Sequence, residues 1–562
     1  MVRGYGRRTS AAMAVALAAT LATGTPAVSG SAAAAPAGDQ AAADAGYLVF
    51  YSPGARAGAL AAVREAGGAV TAEDPRLGYL LTRGAGPAFA ERLGRSPVVV
   101  GVTADRRIGS AAALTARGEA AAGPPAATPA RAVTSARGKG DPLSGRQWDM
   151  KMIGATPVGS YAKARGSHKV LVGVIDTGID GKHPDIAPNF NRGLSRNFVV
   201  DRPKDPNGKT LDGPCEVKSC KDPADVDDDG HGTHVAGTIG AALNGIGTAG
   251  VAPDVSLVNL RAGTDSGYFF LKPVMDALTY AGDAGIDVVN MSFFVDPWTF
   301  NCTANPADSR AEQLQQAGII TGVQRAVDYA RGHGVTLISA LGNGSTDLGA
   351  PTRDSDSPGY PLGTERERTI DNSCLNVPAE SRGVISISAL GPSGRKAWYS
   401  DYGVEQTDLA APGGDPTDGG TSIKGAAREI LAPAPKHVLR REKLIDAAGK
   451  PTGSSVVRDC HRGRCAYYQY LSGTSMASPH AAGVAAILIS RFGRPGSGGL
   501  ALAPGTVERL LYATATPRAC PSAGGTTYSV SEQKHVCAGQ RDKNGFYGHG
   551  VVDALRAATT TG

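Results

Sequence analysis

The sequence predicts an α/β protein with a doubly wound, mostly parallel sheet and helices on both faces, preceded by a small α+β domain. Two observations support this architecture for residues 141–562. Short apolar runs typical of buried strands recur at 170–175, 255–260, 288–291, 335–340 and 384–389. Stretches with helical spacing of apolar residues occur at 271–284, 323–332 and 506–513. Such alternation of strands and helices is typical of a parallel sheet covered on both sides.

The first 37 residues have the features of a secretory signal peptide. Arg7 and Arg8 precede an apolar run at 11–22, and small residues at 33–37 offer a cleavage site. The apolar run is short for a membrane span, and no later stretch has 18 uninterrupted apolar residues. For the segment 1–37 we therefore expect a signal peptide, and for the mature protein a secreted, extracellular chain without a membrane anchor.

Two segments separate the signal peptide from the large domain. Residues 46–108 alternate strand-like and helix-like runs in the order βαββαβ, which suits a small α+β, ferredoxin-like domain. Residues 109–140 consist mainly of Ala, Gly, Pro, Thr and Arg, and they lack the large apolar side chains that a core requires. We expect this second segment to be an exposed linker that is easily cleaved.

One serine lies at the N-terminus of a helix that the sequence predicts to be buried. From Met476 onward, the stretch 470–490 is almost entirely small or apolar, and turn and cap residues precede it. Ser475 therefore falls at a helix N-terminus, where unpaired N–H groups and the helix dipole favour developing negative charge. Pro479 lacks an N–H and leaves the Ser475 carbonyl without its usual helical partner. Taken alone, a capped core helix with an incidental serine explains the same pattern.

Two further stretches supply an acid and a base. Asp176 ends an apolar strand in VLVGVIDTGID, and His231 begins a small-residue helix in DDGHGTHVAGTIG. With GTSMASPH around Ser475, the motifs IDTGID and HGTHVAGT resemble those of the subtilisin-like serine proteases, in the family order Asp, His, Ser. That order differs from those of chymotrypsin-like enzymes and α/β-hydrolases, and no GxSxG elbow surrounds the serine.

The resemblance implies a catalytic triad and an oxyanion hole. His231 would take the proton of Ser475 and pass it to the leaving amine, while Asp176 would orient the imidazole. The stretch LISALGNG resembles the strand and loop that carry the family's oxyanion asparagine, so Asn343 is expected to assist the Ser475 backbone N–H. His234 is expected to be a packed, hydrogen-bonded histidine.

The resemblance also implies a zymogen and a divided catalytic domain. Residues 46–108 occupy the position of the family's inhibitory propeptide, with a processing site in 109–140; an accessory domain kept in the mature protein is the alternative. The catalytic domain is expected at 141–562, with insertions near 296–320 and 415–468.

A structural calcium ion is implied by the family's high-affinity site. Calcium prefers hard oxygen ligands. The matching oxygens belong to the side chains of Asp185 and Asn244 and to the carbonyls of Ala242, Ile246 and Thr248, with Asp141 closing the site. The acidic run 225–229 is an alternative hard-ion site, and a solvated loop explains that run equally well.

Substrate binding is expected on two edge segments of the cleft. Ser266 with Gly267, and Ser292 with Phe293, match the family segments that pair with a polypeptide backbone. Phe294 and the following valine stand where most relatives have two glycines. We expect this aromatic side chain to narrow or reshape the primary pocket, so broad specificity does not carry over.

The eight cysteines of an exported chain are expected to form disulfides. The pairing is formally open among about 105 arrangements. Short loops favour Cys215 with Cys220, Cys460 with Cys465 and Cys520 with Cys537, which leaves Cys302 for Cys374. A zinc site is less well supported because no CxxC pair occurs.

The function expected from the sequence is that of a secreted serine endopeptidase made as a zymogen, acting on polypeptides as a monomer. A narrow-specificity processing protease of the same fold is the nearest alternative, and an esterase or a catalytically silent binding relative are further ones. The formal charge of +6 over 562 residues is too dilute to indicate a nucleic-acid partner. The basic run 436–443 is expected to be a solvated surface segment.

Overall fold

The structure is a computed structural model that describes residues 46–84, 88–104, 140–461, 463–496, 498–522, 525–528, 530 and 533–562. The expected signal peptide and residues 109–139 of the expected linker lie outside the described residues. The N-terminal unit has the element order βαββαβ, and its sheet is antiparallel with strand order β2-β3-β1-β4. Its elements are β1 (Gly46–Tyr51), α1 (Arg56–Glu65), β2 (Ala69–Asp74), β3 (Tyr79–Arg83), α2 (Phe89–Leu93) and β4 (Val99–Ala104).

A seven-stranded parallel sheet forms the centre of the remaining chain, with strand order β13-β12-β9-β8-β5-β7-β6. Its strands are β5 (Leu171–Ile175), β6 (Arg196–Asn197), β7 (Ser256–Arg261), β8 (Val288–Met291), β9 (Thr336–Ala340), β12 (Val384–Leu390) and β13 (Leu409–Pro412). A short antiparallel pair, β10 (Arg353–Asp354) and β11 (Arg368–Thr369), lies in a connection.

Helices cover both faces of this sheet, which confirms the predicted fold class. Alternate residues of β5 point to opposite sides: Val172 and Val174 share a core with α8, whereas Leu171 and Ile175 share a second core with α5 and α6. The helices of the large domain are α3 (Trp148–Met152), α4 (His231–Gly240), α5 (Leu271–Asp283), α6 (Arg310–Gly332), α7 (Lys436–Arg441), α8 (Thr474–Phe492), α9 (Pro504–Thr514) and α10 (Ala554–Thr559).

Helix α6 is longer than the sequence pattern predicted. It begins at Arg310, with Ser309 and Glu312 forming a capping box, whereas the pattern placed its start at 323. The expected insertion at 296–320 therefore includes the first turns of this helix. The first half of α6 is mostly polar, so the spacing of its apolar residues did not indicate a helix. Its buried Leu314 packs in the core of the N-terminal unit.

The expected insertion at 415–468 contributes a second small sheet beside α4. Its antiparallel strand order is β14-β16-β15, and His234 of α4 lies against it. Its strands are β14 (Ile430–Pro433), β15 (Val456–His461) and β16 (Arg464–Leu471); the hairpins β17 (Arg494–Gly496) with β18 (Gly499–Ala501) and β19 (Gly525–Thr527) with β20 (Lys534–Val536) follow.

All four predicted disulfides are present. They join Cys215 to Cys220, Cys302 to Cys374, Cys460 to Cys465 and Cys520 to Cys537. The Cys460–Cys465 pair bridges directly opposite residues of the β15–β16 hairpin. Each crosslink therefore fastens a loop or hairpin of the large domain.

Candidate active site

Asp176 and His231 form a hydrogen-bonded acid–base pair. Asp176 follows the last residue of β5 and is fully buried, while His231 is the first residue of α4. The distance between His231 Nδ1 and Asp176 Oδ1 is 2.7 Å, and the Thr177 N–H donates to the same oxygen at 2.8 Å. This contact fixes the imidazole orientation and leaves Nε2 as the nitrogen that accepts a proton.

Electrostatics around His231 favour its protonated form. Burial lowers the pKa of His231, but the negative charge and the hydrogen bond of Asp176 outweigh that effect, and Asp229 and Asp227 add to it. The pKa of His231 is raised to about 9. The imidazole is thus a strong base, and 27 % of its side-chain surface remains exposed on the cleft side of the pair.

Asp227 links the acid strand to the base helix, a role that the sequence motif did not reveal. Its Oδ1 accepts hydrogen bonds from the Thr177 hydroxyl at 3.0 Å and from the Gly230 N–H at 2.8 Å. Its Oδ2 accepts from the Thr233 N–H at 2.9 Å. Because Asp227 is fully buried, it holds the first turn of α4 at a set distance from Asp176.

Ser475 lies in the first turn of α8 with its side chain partly exposed. Its hydroxyl donates to the Ser292 carbonyl at 3.2 Å in this structure. The Ser475 carbonyl, which Pro479 leaves without a helical donor, accepts a hydrogen bond from Ser292 Oγ at 3.0 Å. Ser292 is itself buried and bonded to Ser478 at 2.9 Å. Its side chain thus supports the nucleophile helix, and its carbonyl holds the resting hydroxyl.

Two N–H donors converge beside Ser475. Asn343 Oδ1 accepts from the Thr474 N–H and from the Thr474 hydroxyl, each at 2.9 Å, which leaves Nδ2 facing the cleft. A methyl group at Gly473 would lie 3.6 Å from both Asn343 Nδ2 and the Ser475 N–H nitrogen. The space above Gly473 is therefore bordered by the two donors that an oxyanion requires.

The two other histidines near these helices have different environments. His234 is buried, and its Nε2 lies 3.0 Å and 3.1 Å from the carbonyls of Ile430 and Gln469. Burial lowers the pKa of His234 to about 3, so it stays neutral. His480 Nε2 lies 3.1 Å from Asp149 Oδ2, a buried contact that ties α8 to α3.

Of the two expected substrate segments, the one with Ser292 contacts Ser475, and the one with Ser266 contacts Asp212. The Ser266 N–H donates to Asp212 Oδ1 at 3.0 Å, and the Gly267 N–H closes a turn onto the Thr264 carbonyl at 2.9 Å. The rings of Phe293 and Phe269 stack with centroids 4.2 Å apart.

Phe294 is partly exposed beside this stack. The N–H of the following Val295 donates to the Val377 carbonyl at 3.0 Å, so it is used within the protein. Phe294 lies two residues after Ser292, whose carbonyl accepts a hydrogen bond from the Ser475 hydroxyl.

The expected calcium ligands surround one loop after α4. Asp185 is buried and accepts hydrogen bonds from the Tyr468 hydroxyl at 2.7 Å, the Thr248 N–H at 3.1 Å and Asn244 Nδ2 at 3.2 Å. Its carbonyl accepts from the Ala242 N–H at 2.8 Å. Asp185 therefore contacts three of the other five expected ligand residues, Asn244, Thr248 and Ala242, through their N–H groups.

Of the remaining two expected ligands, Ile246 lies on this loop, and Asp141 contacts it from the segment before α3. Asp141 Oδ1 accepts from the Gly245 N–H at 2.8 Å, whereas the buried Asp141 Oδ2 has no hydrogen-bond partner among the described residues. Asn244 Oδ1 accepts from the Ile246 N–H at 3.0 Å. Burial raises the pKa of Asp141 to about 6 and that of Asp185 to about 7. Two desolvated carboxylates beside one loop, one with an unpaired oxygen, fit a cation.

A second group of carboxylates lies between the base loop and the Ser266 segment. Oxygens of Glu216, Asp222, Asp228 and Asp265 lie within 4.8 Å of one another. Burial raises the pKa of Asp265 to about 8. Of the acidic run 225–229, Asp228 belongs to this group, whereas Asp225 pairs with Arg192 and Lys182, and Asp227 caps α4.

Helix α7, within the basic run 436–443, is not simply a solvated segment. His437 Nε2 lies 2.8 Å from Asp228 Oδ1, and Arg441 donates to the Asp228 carbonyl. Val438 and Leu439 are buried. The basic run therefore packs against the loop that precedes His231.

A parallel α/β sheet that presents an Asp–His pair, a serine at a helix N-terminus and an asparagine donor defines a subtilisin-like hydrolase. The model of the subtilase family matches residues 167–550, and the chain belongs to that family. Among curated proteins it is similar to a thermophilic serine proteinase of Bacillus sp. (strain AK1), 28 % identical over 58 % of this chain and 54 % of that protein. It is also similar to thermitase of Thermoactinomyces vulgaris, 25 % identical over 66 % of this chain and 90 % of that protein.

The chain spans about half the length of the first of these relatives and 40 % of fervidolysin of Fervidobacterium pennivorans, to which it is 27 % identical over 64 % of its own length. Among solved structures, the fold resembles the epidermin leader peptide processing serine protease of Staphylococcus aureus. The TM-score is 0.57 at 20 % identity, with 92 % of this chain and 98 % of that chain covered. None of the helices in the described part of the chain is long and apolar enough to cross a membrane.

Proposed function

We propose that this protein is a secreted serine endopeptidase that hydrolyses peptide bonds through an acyl-enzyme. The 2.7 Å contact between His231 Nδ1 and Asp176 Oδ1, with Ser475 at the adjacent helix N-terminus, carries the proposal. The motifs around these three residues, the family and the peptidase relatives support it.

The chemistry follows from the role of each group. The Ser475 hydroxyl leaves the Ser292 carbonyl and gives its proton to His231 Nε2 as Oγ bonds to the substrate carbonyl carbon. Asp176 stabilises the imidazolium that forms. The substrate oxygen gains negative charge between Asn343 Nδ2 and the Ser475 N–H. The imidazolium then protonates the leaving amine, and water reverses the same steps to release the acid.

We also propose that residues 46–108 are an inhibitory propeptide. Their sheet packs on α5 and α6: Phe50 shares a hydrophobic cluster with Leu271, Met275 and Val323. Such burial of apolar surface favours a stable complex.

One arginine of the large domain holds the backbone of this N-terminal unit. Arg325 of α6 donates to the carbonyls of Leu77, Gly78 and Tyr51 at 2.8–3.0 Å. Because main-chain carbonyls accept these bonds, recognition of the unit depends on its fold more than on its side chains. These three bonds add to the apolar contacts that hold the unit on α6.

Calcium would be held by Asp185, Asn244 and Asp141 together with carbonyls of the loop after α4. The unpaired, buried Asp141 Oδ2 supports this fit. The ion would supply no chemistry to the reaction; it would stabilise the folded loop.

A narrower processing protease is the second candidate function. Phe294 stands where most relatives carry a glycine, and it follows Phe293, whose ring stacks on that of Phe269. A pocket built in this way favours few side chains, so cleavage of dedicated polypeptides fits it. Sequencing of products from a peptide library distinguishes the two: a broad set of cleaved residues supports general proteolysis, and a single motif supports processing.

The triad is tested by covalent labelling and substitution. A fluorophosphonate should modify Ser475, and Ser475→Ala should lower turnover by about 10⁶-fold. Ser490→Ala, at the other end of α8, is the matched control, because its hydroxyl donates to Ile487 at 2.7 Å far from the cleft. Label on another residue, or near-normal turnover in Ser475→Ala, would overturn the assignment.

Processing is tested with the same variant. The Ser475→Ala precursor should keep residues 46–108 covalently attached, whereas the active chain should yield a mature form that begins between 109 and 141. Intramolecular cleavage predicts a rate independent of protein concentration. A mature enzyme that retains 46–108 would identify this unit as an accessory domain.

A further inference from the structure

We infer that Glu216, Asp222, Asp228 and Asp265 form a calcium site that joins the loop of the catalytic base to the substrate segment at Ser266. The site is separate from the loop of Asp185. Oxygens of the four carboxylates lie within 4.8 Å of one another. Three of the four residues are buried, and Glu216 is exposed.

The charges in this region do not balance without a cation. Arg261 is fully buried and contacts three carboxylates at once, those of Asp201, Asp222 and Asp265, at 2.6–2.9 Å. With Asp228 and Glu216, five carboxylates face two guanidiniums, those of Arg261 and Arg441, and the imidazole of His437, which lies 2.8 Å from Asp228. Burying excess negative charge is costly unless a positive charge compensates it.

One carboxylate oxygen of Asp228 is available to bind a ligand. The residue is 5 % exposed; its Oδ1 pairs with His437, while Oδ2 has no hydrogen-bond partner among the described residues. Asp228, Asp222 and Glu216 also line a cavity of about 370 Å³. A buried, unpaired carboxylate oxygen beside a cavity lined by carboxylates indicates a site for a hydrated cation.

The rest of the site is held in place independently. The Cys215–Cys220 disulfide closes the short loop that carries Glu216. The Asp222 carbonyl accepts a hydrogen bond from Asn197 Nδ2 at 3.0 Å. The Asp265 N–H donates to Asp201 Oδ1 at 3.1 Å. The carboxylates are therefore brought together by the fold and are not gathered by the ion alone.

The ligand set favours calcium over magnesium. All four residues offer carboxylate oxygens. Calcium takes about six to eight oxygen ligands in a flexible geometry, whereas magnesium usually binds through only one or two carboxylates and keeps several waters. Asp228 lies three residues before His231, and Asp265 directly precedes Ser266. An ion here ties together two walls of the cleft.

The test is calorimetric titration of CaCl₂ into the full-length Ser475→Ala chain after removal of metals by a chelator. Glu216→Gln and Asp228→Asn, each made in that chain, should bind one calcium ion fewer than the parent. Asp225→Asn is the matched control, because Asp225 lines the same cavity but pairs with Arg192 and Lys182. It should bind as many ions as the parent.

Glu216 is exposed, so its substitution leaves the folded core intact and keeps the test decisive. Equal calcium stoichiometry in Glu216→Gln, Asp228→Asn and the parent would overturn the site. The assignment of the site to calcium would be overturned if MgCl₂ displaced calcium from the Asp225→Asn control at equal concentration. Because the nucleophile is absent in every chain, neither result depends on whether the protein is a peptidase.

Discussion

Gly101 of the N-terminal sheet lies directly on Gly318 of helix α6. A Cβ at Gly101 would stand 2.4 Å from both the Cα and the nitrogen of Gly318, closer than any side chain tolerates. Strand and helix approach this closely because neither residue has a side chain. The contact is therefore a docking point that depends on both glycines.

Gly101→Leu should weaken docking by about 1–3 kcal/mol, because the obstructing atoms are backbone and cannot move aside. Hydrogen exchange in the full-length Ser475→Ala chain measures this: amides of α6 should exchange faster. Val70→Leu, on the exposed edge strand β2, is the control and should leave α6 unchanged. Equal exchange in both variants would show that the sheet does not dock through this contact.

Activity should rise with pH into the alkaline range. His231 accepts a proton in its neutral form, and its pKa is raised to about 9, so kcat/KM should fall about tenfold per pH unit below that value. The pH profile of kcat/KM checks this. Asp176→Asn should shift the rising limb of this pH profile to lower pH and reduce kcat by about 10⁴-fold. A limb unaffected by this substitution would mean that another group titrates.

The same pair links stability to pH. Because the folded pKa of His231 lies above its unfolded value of about 6.5, its stabilisation is complete below pH 6.5 and is lost as pH rises through about 9. Melting temperatures of the Ser475→Ala chain should therefore decline over that interval more than those of a His231→Ala, Ser475→Ala chain. Parallel curves for the two chains would contradict this linkage.

Asn343→Ala should lower kcat by about 10²–10³-fold with little change in KM, the range known for the corresponding donor in subtilisin. The oxyanion exists only along the reaction, so the loss should fall on turnover. Steady-state kinetics separates the two constants. Ser345→Ala is the control, since its hydroxyl donates to the Trp398 carbonyl at 3.1 Å. A rise in KM alone would assign Asn343 to substrate binding.

Chelation should lower the melting temperature of the Ser475→Ala chain. An ion that binds the folded state alone stabilises it by about 2.7 kcal/mol at a concentration 100-fold above Kd. Asp185→Asn should bind one calcium ion fewer, whereas Asp254→Asn, whose carboxylate pairs with Arg165 at 3.0 Å, should bind as many as the parent. Unchanged binding in Asp185→Asn would exclude the loop of Asp185 as a site.

The sequence predicted the local structure around Asp176, His231 and Ser475 because each lies within a short stretch whose fold its own residues determine. Asp176 follows a strand, and His231 and Ser475 begin helices, so their positions were predictable from apolar runs and turn residues. The fold class followed from the same alternation.

The sequence pattern did not predict contacts between segments that are far apart in the chain. Asp227 showed no sign of bridging Thr177 to α4, because that role depends on two segments 50 residues apart. The group of carboxylates around Arg261 likewise assembles from three separate loops. The early start of α6 was missed because its apolar face is completed by the N-terminal unit.

All four disulfides lie between Cys215 and Cys537, and none reaches the N-terminal unit. Once the chain is cut between 109 and 141, no covalent bond from these crosslinks retains the first piece, and that piece has no crosslink to restrain its own unfolding. A small domain without crosslinks opens more readily than one whose loops are closed. In the zymogen that we propose, the released piece is then open to cleavage by the enzyme, so activation proceeds in one direction.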